Sequence, residues 1–139
     1  MPNYATYHIG QKILLRKGNK FLFLKIPEYN ILDLPGGRID DNEETKDLKE
    51  ILDREVKEEL GKDLIYKLGN ILFQYRRYTP NGTKVFLTIF DAEYLSGEIK
   101  LSLEHEKYEW INPKESGIKR DDFFNEEEYK AFLNYFNKL

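Results

Sequence analysis

Leu34-Pro35-Gly36-Gly37-Arg38-Ile39-Asp40-Asp41-Asn42-Glu43-Glu44, followed by the helical run from about Thr45 to Leu60 and then Gly61, is the stretch that decides the fold. Pro35-Gly36-Gly37 is a strong chain break. The acidic residues Asp40 to Glu44 suit a helix start, where the dipole favours negative charge. Gly61 stands where a helix C-cap glycine is expected. With Leu48 at zero and about 100° per residue, Leu48, Ile51, Leu52, Val56 and Leu60 form one apolar arc. Lys46, Glu50, Asp53, Arg54 and Lys57 fall opposite, as a solvated face should. Glu55 and Glu59 do not. They land at about −20° and +20°, inside the apolar arc, with Glu58 at its edge.

Burying unpaired carboxylates is costly, and like charges at this spacing repel, so something must compensate. The bland accounts are pairing with lysines or arginines elsewhere, or packing of the helix through its far flank. The sharper account is a phosphate-directed cation. Mg²⁺ takes oxygen ligands, keeps waters and bridges to substrate phosphates. Without metal, neighbouring carboxylates raise one another's pKa.

Outward from this helix, the chain reads as strands. Tyr7–Arg16 and Phe21–Leu24 form a hairpin around Lys17-Gly18-Asn19. Leu32–Leu34 is a short apolar piece before the break. Ile65–Tyr78 holds one or two strands, Pro80-Asn81-Gly82 is a turn, Val85–Tyr94 is a further strand, and Tyr108–Ile111 a short one. Asn125–Leu139 places Tyr129, Phe132, Leu133 and Phe136 at helical spacing, an amphipathic C-terminal helix. Strands mixed with two helices predict a layered α/β or α+β domain.

Composition limits the function. At 139 residues the chain is one domain by length. With 40% apolar and 34% charged residues, it has both a core and a solvated surface, which excludes a disordered or collagen-like chain. It has no cysteine, so disulfides, thiolate zinc sites and cysteine nucleophiles are excluded. Two histidines, His8 and His105, are too few for a multi-histidine metal site. A net charge of −3 argues against a DNA or RNA polymer as partner. No stretch approaches a membrane span, and no basic start leads into an apolar run, so no secretory signal is expected. The expected protein is cytoplasmic.

Gly37, five residues, Glu43, then Arg54-Glu55-Val56-Lys57-Glu58-Glu59-Leu60-Gly61 resembles the Nudix box: Gly, any five, Glu, any seven, Arg-Glu-aliphatic-any-Glu-Glu-any-Gly-aliphatic. Leu34-Pro35-Gly36-Gly37 is similar to the family's usual entry to that box. The N-terminal hairpin, Glu104-His105-Glu106-Lys107-Tyr108-Glu109-Trp110-Ile111 and the C-terminal helix also sit in familiar order, so the resemblance covers nearly the whole chain. There are two departures. Ten residues, not seven, separate Glu43 from Arg54, and Lys62 replaces the last aliphatic residue, with Leu64 close behind. If the extra three residues lengthen the loop, Glu43 keeps the family role by its distance from Gly37. If they lengthen the helix, Glu44 projects beside Glu55. The distance from Gly37 favours Glu43, with Glu44 the alternative.

The resemblance, to MutT-like and ADP-ribose pyrophosphatase-like members of the family, implies an α+β fold. That fold is an α/β/α sandwich with a mixed central sheet, a catalytic loop–helix and a C-terminal helix, in a single domain over residues 1–139 with the box at 37–62. It implies Mg²⁺- or Mn²⁺-dependent hydrolysis of a phosphoanhydride in a nucleoside diphosphate linked to another moiety. ADP-ribose or another nucleotide sugar, a nucleoside triphosphate and a dinucleoside polyphosphate are the candidate substrates; a non-catalytic nucleotide-sensing module is the alternative. Glu55, Glu58 and Glu59 would hold the metal together with the Gly37 carbonyl, and Arg54 would fix their geometry. Glu104, six positions before Trp110, is the candidate base or further ligand, with Glu106 as alternative. His105 and His8 read as structural.

The resemblance implies a small nucleotide as partner, and a monomer or homodimer is the expected state. For the substrate's other end, Arg38, Tyr75, Arg77 and Tyr78 are the candidates. Alternation sends Tyr75 and Arg77 to one face of a strand and Arg76 and Tyr78 to the other. Either pair is suited to stacking a base and touching a phosphate, or to plain cross-strand packing. A proline or tyrosine past the box separates ADP-ribose from dinucleoside polyphosphate subfamilies in the family; Tyr78 and Pro80 both fall in that window.

Overall fold

The computed structural model describes residues 2–103, 105 and 107–139. Period-two alternation lays down the sheet. β1 (His8–Lys17) sends Ile13 and Leu15 to one face and Leu14 to the other. β2 (Lys20–Ile26) sends Leu22 and Leu24 to the first face, and Phe21 and Phe23 to the second. Helix α1 (Leu48–Leu60) covers the first face with Leu52, Val56 and Leu60. Helix α2 (Glu126–Asn137) covers the second with Phe132 and Phe136. The result is a mixed sheet between two helices, the α/β/α sandwich that the family resemblance implies.

The other strands are β3 (Ile31–Asp33), β4 (Gly36–Arg38), β5 (Ile65–Tyr78), β6 (Lys84–Ser96) and β7 (Lys107–Ile111). β1 runs parallel to β6 from His8 opposite Val85 to Arg16 opposite Glu93, and β6 is antiparallel to β5. On its other side β1 pairs with β2 only at the closed end of the hairpin, Arg16 opposite Phe21 and Lys17 opposite Lys20. The two strands then part. The fork between them is filled by residues 31–38. β3 pairs with β2, and β4 pairs with β1 through Gly10–Arg38, Gln11–Gly37 and Lys12–Gly36. β7 occupies the opposite edge of β2.

Gly36-Gly37, expected as part of a break, therefore opens a short strand that runs on to Arg38, with Pro35 at the bend before it. Glycine makes this possible. Gly36 has φ +137°, and a Cβ there would lie 2.1 Å from the Gln11 carbonyl oxygen. α1 starts three residues later than predicted. A tight turn at Asp41–Glu43 takes up the acidic run, and the Asp47 side chain caps the helix by accepting from the Glu50 N–H at 3.2 Å. Leu48, in that first turn, is exposed, so the buried stripe is Ile51, Leu52, Val56 and Leu60. On α2, Leu133 is only half-buried, whereas Glu128 is fully buried. Among the described residues no helix is long and apolar enough to cross a membrane.

The core under α2 is aromatic. The Phe132 ring centroid lies 4.9 Å from Phe123, 5.2 Å from Phe73, 5.6 Å from Tyr75 and 5.8 Å from Phe23. Its ring is the hub that joins α2 to β2 and β5. Phe132→Ala is expected to cost about 3–5 kcal/mol in urea unfolding; a loss under about 1 kcal/mol would show that α2 is not anchored through this residue.

Candidate active site

Two carboxylates face the fork-filling strand. Burial of Val56 and Leu60 turns the Glu55–Glu59 side of α1 onto β4. Gly37 gives way to Glu55, since a Cβ there would meet Glu55 Oε2 at 1.8 Å. The Gly36 N–H donates to Glu59 Oε1 at 3.2 Å. His105 Nδ1 lies 3.7 Å from Glu59 Oε2. After α1 the chain returns along its end, with the Lys100 N–H donating to the Leu60 carbonyl at 2.8 Å and the Ser102 N–H to the Glu59 carbonyl at 3.0 Å. Ser102 and Leu103 thereby rim an open cleft of about 540 Å³, whose walls include Gly37, Arg38, Arg54, Glu55, Glu58 and Glu59.

The electrostatics divide the acids into two sets. Burial pushes both Glu55 and Glu59 up to about 7. For Glu55, Arg54 and Lys12 pull the other way, while Glu43 and Glu58 push further up. For Glu59, Lys12 and the Gly36 N–H pull down, while Asp33 and Glu55 push up. The second set is satisfied. Arg54 donates to Glu43 and, at 2.7 Å, to Glu58, and stands 3.5 Å from Glu55. Burial alone would raise Glu43, but the Asp40 N–H and the Arg54 guanidinium outweigh it and hold its carboxyl below the usual value. The Arg54 guanidinium is thus spent mainly on Glu43 and Glu58, and the inner pair is left under-compensated.

The sequence-predicted residues are placed as follows. Glu43 is buried at the end of its turn and bound to Arg54, while Glu44 is exposed. The three extra residues of the box lie between the turn and the Asp47 cap, not in the helix. Gly37, Arg54, Glu55, Glu58 and Glu59 come together at the cleft, with Glu58 exposed and turned to Arg54. Arg38 also lines it, its Nη1 3.1 Å from His8 Nδ1. Glu104 and Glu106 lie outside the described residues. Among the described residues no three acidic or histidine side chains form a complete metal-binding group.

Tyr75 and Arg77 are a correction. Both are buried on the α2 face, away from the cleft, and Arg77 is paired with Asp33 and Glu128. Their length and polarity on a strand suggested a ligand surface, whereas α2 covers that face of the strand. Tyr78 is exposed near Tyr7 and Arg76, at the far end of β5.

Sequence reasoning missed Lys12, Asp33 and Glu128, each buried with an opposite charge. A signal existed for Glu128. Stepped at about 100° per residue, it falls at about −40° from Phe132 and −80° from Phe136, within the apolar arc of α2.

A family model described as NUDIX domain matches residues 6–132. No curated protein matches the chain. Among solved structures, the MutT protein from Methanosarcina mazei Go1 is 29% identical, with a TM-score of 0.71 over 95% of this chain and 91% of that one. A NUDIX hydrolase from Nitrosomonas europaea is 18% identical, with a TM-score of 0.73 over 96% and 90%. An ADP-ribose pyrophosphatase from Streptococcus suis 89-1591 is 17% identical, with a TM-score of 0.66 over 96% and 92%. With the family model spanning nearly the whole chain and the box residues gathered on one cleft, the chain belongs to the Nudix hydrolases.

Proposed function

We propose that this Nudix hydrolase, acting as one domain over residues 1–139, uses Mg²⁺ or Mn²⁺ to cleave a phosphoanhydride bond. The substrate class is a nucleoside diphosphate linked to another moiety, a nucleotide sugar such as ADP-ribose, or a nucleoside triphosphate. The carrying observation is the pair Glu55 and Glu59: mostly buried, raised to about 7, and set on the wall of an open cleft. Members of the family generally use a divalent metal. The name of one structural relative, an ADP-ribose pyrophosphatase, is in keeping with this substrate class.

The residues present fit such an ion. The donors are hard oxygens, two of them under-compensated, and Mg²⁺ needs only one or two protein carboxylates when substrate phosphates and waters complete its shell. Glu55 and Glu59 would hold it, with the Gly37 carbonyl beside them and Glu58 and Glu104 as further ligands. When bound, the ion neutralises phosphate charge and lowers the pKa of an attacking water. The protein's own groups set the frame. Arg54 ties Glu43 to Glu58 and so fixes the turn against the helix. The Gly36 N–H orients Glu59. Arg38, on the cleft wall, offers a guanidinium to a phosphate oxygen. A panel of nucleotides incubated with Mg²⁺, with released products identified, tests the reading; no turnover of any member would favour a nucleotide-sensing module.

Glu59→Gln keeps the shape and removes the charge. On the best substrate it is expected to lower kcat by about a thousandfold, the scale of losing metal-driven charge stabilisation, with the melting temperature unchanged or higher. Activity within a few-fold of the parent would remove Glu59 from the metal set.

Glu43→Gln breaks the buried pair with Arg54 and is expected to reduce kcat at least about tenfold. Glu44→Gln, at an exposed position, should stay within about twofold. The reverse order would assign the box acid to Glu44.

Stability should show the metal directly. Glu55 and Glu59 titrate near 7 when folded and lower when unfolded, so the folded chain takes up protons. The metal-free protein therefore loses stability as pH rises from about 5 to 8. Mg²⁺ competes with those protons, so its stabilisation, RT ln(1 + [L]/Kd), should be larger at pH 8 than at pH 6. Melts with EDTA and with millimolar Mg²⁺ are expected to differ by about 5 °C at pH 8 and by less at pH 6. No shift at either pH, with no metal seen by titration, would overturn the metal assignment.

A further inference from the structure

Behind the glycine strand lies a second set of charges. Lys12 of β1, Asp33 of β3, Arg77 of β5 and Glu128 of α2 are each no more than 8% exposed. Lys12 Nζ donates to Asp33 Oδ2 at 3.2 Å. Arg77 Nη2 donates to Asp33 Oδ1 at 2.9 Å, and Arg77 Nε to Glu128 Oε2 at 3.2 Å. The quartet is charge-balanced and ties four elements together. The face around it is aliphatic and aromatic, with Phe23, Leu34, Leu87 and Phe132. Well-packed apolar residues would serve stability there as well or better, because desolvating two ion pairs offsets most of their attraction. Stability alone does not explain the charges.

Their geometry does. Two members grip one peptide unit each side of Leu34: Asp33 Oδ1 accepts from the Leu34 N–H at 2.8 Å, and Lys12 Nζ donates to the Leu34 carbonyl at 2.9 Å. One residue on, the Pro35 carbonyl accepts from the Ile13 N–H at 2.9 Å. Then come Gly36, whose N–H holds Glu59, and Gly37, which packs on Glu55. Five consecutive residues, 33–37, thus meet the quartet at one end and the carboxylate pair at the other.

We propose that Lys12, Asp33, Arg77 and Glu128 are positioning residues that set the Gly36–Gly37 strand against Glu55 and Glu59, so that α2 shapes the metal site from the opposite face of the sheet. The inference rests on the metal-site reading above. Lys12 gives it a decisive sign. Its charge acts on both Glu55 and Glu59, so if charge were its only role, Lys12→Met would tighten cation binding. If it positions the strand, Lys12→Met weakens it.

The experiment uses the full chain without substrate and has two readouts. The first is Mn²⁺ affinity by electron paramagnetic resonance titration. The second is amide hydrogen exchange in the metal-free protein at Ile13, Gly36 and Ile39, the N–H groups that bind β4 in place. Lys12→Met should weaken Mn²⁺ binding about tenfold, as loss of an outer-shell partner does. It should also speed exchange at those three amides at least about tenfold, leaving β5–β6 amides within about twofold. Glu128→Gln, which removes the anion holding Arg77 from the α2 side, should move both readouts in the same direction and decides the matter if Lys12→Met does not fold. Tighter Mn²⁺ binding, or exchange that rises evenly across the sheet with affinity unchanged, would overturn the proposal. A parent chain that binds no Mn²⁺ would sink the metal reading instead, and the positioning claim would then stand or fall on the local exchange.

Discussion

Two glutamates pressed against a strand of glycines with too little positive charge nearby is the constraint on which the rest of this molecule turns. Glu55 and Glu59 sit where an apolar helix face meets the sheet, and burial raises both to about 7. Such an arrangement costs free energy in the metal-free chain. It persists because neighbouring choices are made around it. Gly37 leaves room where any Cβ would collide with Glu55. Gly36 adopts a backbone conformation that L side chains avoid and offers its N–H to Glu59. Val56 and Leu60 anchor the helix so that the carboxylates cannot swing away.

The sheet supplies the place for this contact by opening. β1 and β2 pair at Arg16–Phe21 and then separate, and residues 31–38 fill the gap with one strand for each side. A regular hairpin would leave no backbone free to approach the helix. The fork brings the chain between two strands and presents glycine to one face and Asp33 to the other. Charges are sorted accordingly. On the α1 face Arg54 satisfies Glu43 and Glu58 and leaves the inner pair needy. On the α2 face Lys12 and Arg77 hold the Asp33 carboxyl low, and Arg77 pairs with Glu128, whose burial still raises its carboxyl.

The layered fold was legible in the sequence because it rests on periodicity: alternation in β1, β2 and β6, and apolar stripes on both helices. The Glu55–Glu59 anomaly was legible for the same reason, since helix phase needs no tertiary information. What could not be read was whatever depends on pairing between distant segments. Nothing local says that Gly36-Gly37 joins β1 as a strand, because its partners are the Gln11 and Lys12 backbone. Tyr75 and Arg77 look like ligand groups on an isolated strand. Only the docking of α2, through Phe132 and Glu128, shows them buried. Glu128 carried a phase signal as strong as that of Glu59, but it stands in the acidic first turn Glu126–Glu128, where glutamates serve the helix dipole and draw no notice.

The three-residue insertion shows which of two local rules governs the box. Helix phase would carry Glu44 to the carboxylate face if α1 began in the acidic run. The chain instead stops that run with a turn at Asp41–Glu43, closed by the Asp40 N–H on the Glu43 carboxylate, and restarts at the Asp47 cap. The reason is energetic. Glu43 can be buried because it meets both a backbone N–H and the Arg54 guanidinium, two charge-assisted hydrogen bonds that compensate its desolvation. Glu44 on an extended helix would join Glu55 and Glu59 as a third under-compensated carboxylate on one face, with like charges in contact and Arg54 turned elsewhere. Distance from Gly37 therefore sets which glutamate Arg54 finds, and the inserted residues fall where they alter neither that distance nor the last three turns of the helix.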